Sequence, residues 1–490
     1  MARVLAFSYA EGIVIILGFA LPLSGVIWLA TRGQTFTKLR FLLANREVGA
    51  LIGAMSAAAA WIWAPALFVS AEKAYTQGWV GVFWFVAPNV ACLVIFAFFA
   101  TRLRTLFPEG FTLSGYMKER YSRRVQTTYL VAFIGLATCS FAVQLLAGAS
   151  ILSALTGIRY DVLTIILASI PVGYSLYSGF KGSMVSDALQ LAMIYIVGAI
   201  VIPWAIFEGG GFDTVLKGLY GKTGTFSDMF AGDGLTATLA FGIPVTIGLL
   251  SGPFGDQSFW QRAFAIRKAS VGKAFVLAAF VFGIVPLALS LLGFLAAGMG
   301  LQAENPSRVN LEIVATLLPG WVTILFVYLL LSGLVSTLDS NLSAISSLAG
   351  HDIAGRYQVQ GDSTDVREFS WFSRGAMVLL VVGGITIANI PGLTILYLFL
   401  FYGTLRASTL LPTVITLLKK DVSEVGMFWG IIASITVGLP IFAYGNIYRI
   451  LPLIIGGSLF AVLASGIIVL AASRFEKNSQ RRCALSKDAP

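Results

Sequence analysis

Apolar and polar positions divide the chain into about thirteen apolar runs, separated by connections rich in Gly, Pro and charge. The runs fall at about 10–31, 50–71, 79–101, 126–152, 161–180, 185–207, 234–254, 273–298, 320–349, 372–390, 393–418, 425–443 and 449–472. Each is on the order of 20 residues, the length of helix that crosses a hydrocarbon core roughly 30 Å thick. The pattern predicts an all-α polytopic membrane protein of about thirteen spans, with the lipid bilayer as its main surroundings.

Two runs are interrupted. The second, GALIGAMSAAAAWIWAPALFVSAEKAY, carries four small residues, Ala57 to Ala60, before Trp61, Ile62, Trp63 and Pro65. A proline at that depth frees a backbone carbonyl that something else must satisfy. In the seventh, FGIPVTIGLLSGPFGDQSFWQR, the second half is crowded by Gly248, Gly252, Pro253 and Gly255. Broken helices five runs apart and oppositely directed are what a five-plus-five inverted repeat requires. The expected division is 1–49 for a first helix and linker, 50–207 and 208–420 for the two repeats, and 421–490 for two peripheral helices and a basic tail.

Composition agrees: 57% of the 490 residues are hydrophobic and 11% charged, against roughly 25% charged in soluble domains. The formal charge of +10 lies in the connections and forms no basic face for phosphates, so no nucleic-acid partner is expected. With the N-terminus outside, 25 basic residues fall on the cytoplasmic side and seven outside, the asymmetry that orients membrane proteins. The expected location is the plasma (inner) membrane, with a cytoplasmic C-terminus. Cys92, Cys139 and Cys483 have no pairing or metal spacing, and His351 is the single histidine. No phosphate-binding G-x-x-x-x-G-K-[ST] occurs, so an ion gradient rather than ATP is the expected energy source. No enzymatic chemistry and no obligate protein partner are expected.

The ninth run poses the sharpest question. SGLVSTLDSNLSAISSLAGHDI, 332–353, sets Ser332, Ser336, Ser340, Ser343 and Ser347 along one helical stripe, with Thr337 beside them and Asp339 at the edge. Small-residue packing accounts for the serines beyond Ser340. It does not account for Asp339, since a carboxylate inside a span calls for a cavity, a cation or a partner.

This stretch resembles the ninth-helix signature of the sodium/solute symporter family, which includes bacterial proline, sialic acid and galactose symporters. YSGFKGSMVSDALQ, 177–190, resembles the family's glycine-rich turn and T/S-D-x-x-Q, and DQSFWQR, 256–262, its D/N-Q-x-x-x-Q-R element. The match runs over roughly 35–440. It implies an inverted-repeat fold and a sodium ion (Na+) bound between the broken second helix and the ninth. Carried over by motif, A-x-x-I offers the carbonyls of Ala59 and Ile62, and G-L-V-S-T the Gly333 carbonyl with the Ser336 and Thr337 hydroxyls. Gly333 stands where several relatives have alanine, and only its carbonyl would be used. Asp187 matches an aspartate that serves a further cation site in some members, or it is a carboxylate paired with Lys181 or a nearby arginine. Asp339 joins that second cation or proton site, or pairs with Arg406. Arg406 clamps a carboxylate substrate, pairs with Asp339 or Asp187, or snorkels towards an interface.

A small-molecule solute is expected between the broken helices and the eleventh run, among Trp61, Trp63, Ala66, Phe68, Leu249, Gly252, Phe254, Tyr397, Phe401, Tyr402 and Arg406. Ala66 and Leu249 bring no hydrogen bonds where galactose relatives have polar side chains, which disfavours a sugar. AAWIWAPALFVSAEKAYTQG, 59–78, most resembles the urea-transporter branch. The expected activity is sodium-coupled symport of a small polar solute, urea-like, an amine or an amino acid. The alternatives are a proton-coupled symporter carrying its proton on Asp187 or Asp339, and a transporter-like solute sensor. Glu72 and Lys73 are expected at the interface, and His351 in a loop or cap.

Overall fold

A computed structural model describes residues 7–33, 37–356 and 366–487. In chain order its principal helices are α1 (Tyr9–Thr31), α2 (Ala50–Trp61), α3 (Ala64–Leu106), α4 (Arg123–Thr156) and α5 (Tyr160–Glu208). They continue as α6 (Gly232–Leu250), α7 (Gln257–Ala265), α8 (Val271–Gly298) and α9 (Gly320–Ser347). The last are α10 (Val366–Ala388), α11 (Ile395–Leu418), α12 (Glu424–Tyr448) and α13 (Leu451–Lys487). No strand occurs among the described residues, and eleven helices there are long and apolar enough to cross a membrane.

Two of the eleven hold two apolar runs each. At about 1.5 Å per residue, the 43 residues of α3 and 49 of α5 are about twice as long as a bilayer core is thick. Each turns at a glycine with positive φ, Gly78 (φ 57°, ψ −153°) and Gly179 (φ 59°, ψ −155°). Only glycine enters that region without strain. Space excludes a side chain too: a Cβ would sit 2.6 Å from the Leu219 carbonyl oxygen at Gly78 and 2.7 Å from that of Phe41 at Gly179. Each of α3 and α5 is thus two helical arms joined at a glycine, and the second run is shared between α2 and the start of α3.

Both expected breaks are present. Between α2 and α3, Ile62 (φ −82°, ψ 73°) and Trp63 (φ −104°, ψ 179°) leave the helical region. Between α6 and α7 the chain turns through 251–255, and Asp256 caps α7 by accepting from the Ser258 N–H at 2.8 Å. The Ala64 N–H freed at the first break donates to Gln144 Oε1 of α4 at 2.8 Å, and just inside α3 the Leu67 carbonyl also accepts from Asn310 Nδ2 at 2.7 Å. Gln144→Leu strands a buried N–H and is expected to cost about 1–3 kcal/mol, read as a lowered Tm in detergent. An unchanged Tm would show that the break needs no such partner.

The helix carrying the polar stretch lies deepest. Every residue from Leu329 to Gly350 is buried, with α9 packed along α5, α4 and α2. Apolar side chains of α1, α10, α12 and α13, such as Val14, Leu379, Trp429 and Ile467, are exposed instead, as a lipid-facing rim requires.

Glu72 and Lys73 are buried within the protein: they lie 3.8 Å apart, and Lys73 sits 4.5 Å from the centre of the Phe241 ring. His351 lies in a π-helical turn, Leu348–Ile353, and stacks on Phe111 at 4.4 Å. Arg3, residues 357–365 within the 351–371 connection, and the side chains from 479 onward lie outside the described residues.

Candidate functional site

Where α2 ends, its last carbonyls face the middle of α9. The Ser336 hydroxyl donates to the Ala59 carbonyl at 2.9 Å. Thr337 Oγ1 lies 3.1 Å from the Gly333 carbonyl oxygen and 3.5 Å from that of Ala60. The Ile62 carbonyl approaches so closely that a Cβ on Gly333 would stand 2.8 Å from it. Ala59, Ile62, Gly333, Ser336 and Thr337 are therefore brought together by the broken helix. Oxygens held about 2.4 Å from one hard cation stand roughly 3–3.5 Å from each other. The pairs Ser336–Ala59 and Thr337–Gly333 stand at 2.9 and 3.1 Å as hydrogen bonds, and the cradle's uncharged oxygens are donors of the kind a monovalent hard cation takes. No cluster of three or more His, Cys, Asp or Glu that could hold a metal ion occurs among the described residues.

The rest of the serine stripe meets α7. Ser340 accepts from Arg262 Nη2 at 2.8 Å, Ser343 from Gln261 Nε2 at 3.1 Å, and Ser347 from Gln257 Nε2 at 3.3 Å. Ser343 and Ser347, expected as packing residues, also accept hydrogen bonds from one face of a neighbouring helix, while Ser347 bonds back to the Ala344 carbonyl at 2.7 Å. The same Arg262 pairs with Asp187 at 2.9 Å and donates to Ser56 Oγ at 2.9 Å and to the Ser258 carbonyl at 3.0 Å. Asp187 is fully buried and also accepts from Ser56 at 2.5 Å. Its partner is Arg262, not Lys181.

Asp339 is as deeply buried as Asp187, one helix face away. It accepts from Tyr174 OH at 2.7 Å and Ser183 Oγ at 2.8 Å, and Tyr174 OH lies 3.2 Å from Ser186 Oγ. No salt bridge to Asp339 occurs among the described residues. The expected pairing of Arg406 with Asp339 or Asp187 is overturned. Arg406 reaches Asp256 at 3.2 Å and donates to Tyr402 OH, because α11 crosses the broken end of α6 and not the face of α9 that bears Asp339. With Asp256 already beside it, Arg406 is not a free clamp for a carboxylate.

The solute candidates separate into groups. Trp61 and Trp63 are stacked, centroids 6.0 Å apart. Trp63 meets Tyr402 edge-on at 5.5 Å. The guanidinium carbon of Arg406 lies 5.3 Å from each tryptophan and 3.7 Å from the Tyr402 ring. Gly252 makes room for Trp61, since a Cβ there would sit 2.2 Å from Cη2. Ala66, Phe68 and Leu249 are buried close in sequence to these breaks. Phe254 instead joins Phe96, Phe99 and Trp260, and Tyr397 stacks with Phe401 at 6.3 Å, both half-buried. Sequence reasoning missed Asp256, Phe399 against Trp63 at 5.3 Å, and Phe259 edge-on to Trp61 at 5.2 Å. Asp256 was visible as the first residue of the DQSFWQR element.

The comparisons agree with this architecture. The model of the sodium:solute symporter family matches residues 41–434, and the chain belongs to that family. Over 95% of its length it is 24% identical to a urea-proton symporter of rice (Oryza sativa subsp. japonica), covering 71% of that protein. It is 23% identical to a urea active transporter of Saccharomyces cerevisiae over 84% of this chain, and spans 60% of that relative. In structure it resembles an outward-open, substrate-bound sodium-coupled sialic acid symporter, with a TM-score of 0.69 at 16% identity over 94% of this chain and 98% of that one. A nucleobase-cation-symport-1 family transporter in a closed conformation follows at 0.62 and 16%, over 90% and 95%. The fold is that of these membrane symporters.

Proposed function

We propose that the protein is a sodium-coupled symporter that carries a small polar nitrogenous solute of the urea type by alternating access. The carrying observation is the cradle of Ala59, Ile62, Gly333, Ser336 and Thr337, which joins the broken α2 to α9 through oxygens alone. A cation held there ties two elements of opposite repeats. It drives transport only by binding one arrangement of them more tightly than the other. The stacked tryptophans beside the break are the proposed solute platform, and the urea transporters among the relatives favour that substrate class. Uptake of labelled urea by purified protein in liposomes is expected to require an inward sodium gradient. Equal uptake with choline in place of sodium at fixed pH would sink sodium coupling.

Asp339 favours a second reading, proton coupling, because a buried carboxylate whose donors among the described residues are the hydroxyls of Tyr174 and Ser183 is neutralised at least cost by a proton. One relative is named a urea-proton symporter. On this reading an inside-alkaline gradient drives uptake without sodium, and Asp339→Asn abolishes that drive at least tenfold while the protein still folds. Gradient-driven uptake that survives in Asp339→Asn would remove the residue from the coupling path.

A further inference from the structure

The box formed by Trp61, Trp63 and Tyr402 already holds a planar, nitrogen-rich group of this chain's own. The Arg406 guanidinium is one carbon bonded to three nitrogens, the same flat Y-shape and nearly the same size as urea. It is 2% exposed and lies close to all three rings. Its Nη2 reaches Asp256 and Tyr402, while its Nε and the indole N–H groups of Trp61 and Trp63 are buried without an acceptor among the described residues. Buried donors left unpaired are costly. The two indole N–H groups match the chemistry of an acceptor oxygen that the guanidinium itself does not carry. Gly255 gives Arg406 its place, since a Cβ there would stand 2.9 Å from Cγ.

We propose that Arg406 is a built-in stand-in for the solute: its guanidinium closes the tryptophan–tyrosine box when no solute is bound, and an uncharged planar urea or amide displaces it. The inference rests on the urea-type reading above. It adds that the Asp256 pair anchors the guanidinium in the box, so that an incoming solute must break that hold, and that the incoming carbonyl accepts from the indole N–H groups of Trp61 and Trp63. The box then discriminates by shape and by one acceptor oxygen. A free carboxylate meets an arginine whose charge Asp256 has already balanced.

Competition between two small molecules tests this. In Arg406→Ala, millimolar guanidinium chloride is expected to quench tryptophan fluorescence saturably, at least tenfold more tightly than in the wild type. Any cavity left by an arginine would admit guanidinium, so the deciding measurement is what urea does. Urea is expected to raise the half-saturating guanidinium concentration in proportion to its own, as competitors for one box must. Urea that leaves guanidinium binding unchanged overturns the proposal. Asp256→Asn, which keeps the arginine but loosens its hold, serves if the alanine variant does not fold. Its half-saturating urea concentration for fluorescence change is expected to fall at least threefold, and an unchanged or raised value counts against the stand-in. Urea uptake by wild-type liposomes, run alongside, reads the functional proposal separately: its absence sinks that reading, while competition decides the role of Arg406 in either case.

Discussion

Arg262→Met is expected to destabilise the protein by about 3–5 kcal/mol, the cost of leaving a buried charge without its partner. Asp187 has no exposure to water and no second cation within ion-pair distance among the described residues. Its Oδ1 already lacks a donor, so nothing nearby takes over. The arginine also ties four elements: Ser56 of α2, Asp187 of α5, Ser258 of its own α7, and Ser340 of α9. Adding Asp187→Asn to Arg262→Met removes the stranded charge and is expected to recover more than half of the loss. A methionine–asparagine pair of similar bulk then needs only ordinary hydrogen bonds. Thermal unfolding in detergent for the four members of this cycle checks it. If Arg262→Met alone matches the wild type, the pair is structurally idle; if the double variant is worse than either single one, the loss lies in packing and not in charge.

The same cluster shows how far sequence carries. The runs and both breaks were legible because they rest on local chemistry: length, hydropathy, Pro65, and the glycines of 252–255. The cradle was legible too, since its residues lie in two motifs a few positions long. Partners distant in sequence were not. Asp256 and Arg406 are 150 residues apart, and nothing local marks an N-cap aspartate as the counter-charge of an arginine on another helix. Asp339 found its partners in Tyr174 and Ser183, residues that in an apolar run look like packing. A weak signal did exist for the serine stripe. Ser340, Ser343 and Ser347 recur at helical spacing, as do Gln257 and Gln261, and two polar stripes in one apolar protein must satisfy each other.

Ser336→Ala with Thr337→Val is expected to raise the sodium concentration for half-maximal uptake at least a hundredfold, close to 2.8 kcal/mol at about 1.4 kcal/mol per tenfold. Valine keeps the shape of threonine and alanine removes one oxygen, so both changes take away donors to a cation and little else. The Ala59 carbonyl loses its Ser336 partner at the same time, so part of the effect appears as a lower Tm. Thr337→Ser supplies the control, since it keeps the hydroxyl and loses only a methyl. It is expected to stay within threefold of the wild type. Asp339 lies three residues beyond Ser336, close to one helical turn, yet its hydroxyl partners belong to α5 and those of the cradle to α2. The two sites are therefore separable. If sodium couples at the cradle, the double variant loses sodium dependence while Asp339→Asn keeps it. If the double variant instead retains the wild-type sodium curve and Asp339→Asn abolishes pH-driven uptake, the coupling ion is the proton, and the cradle serves to hold the broken helix against α9.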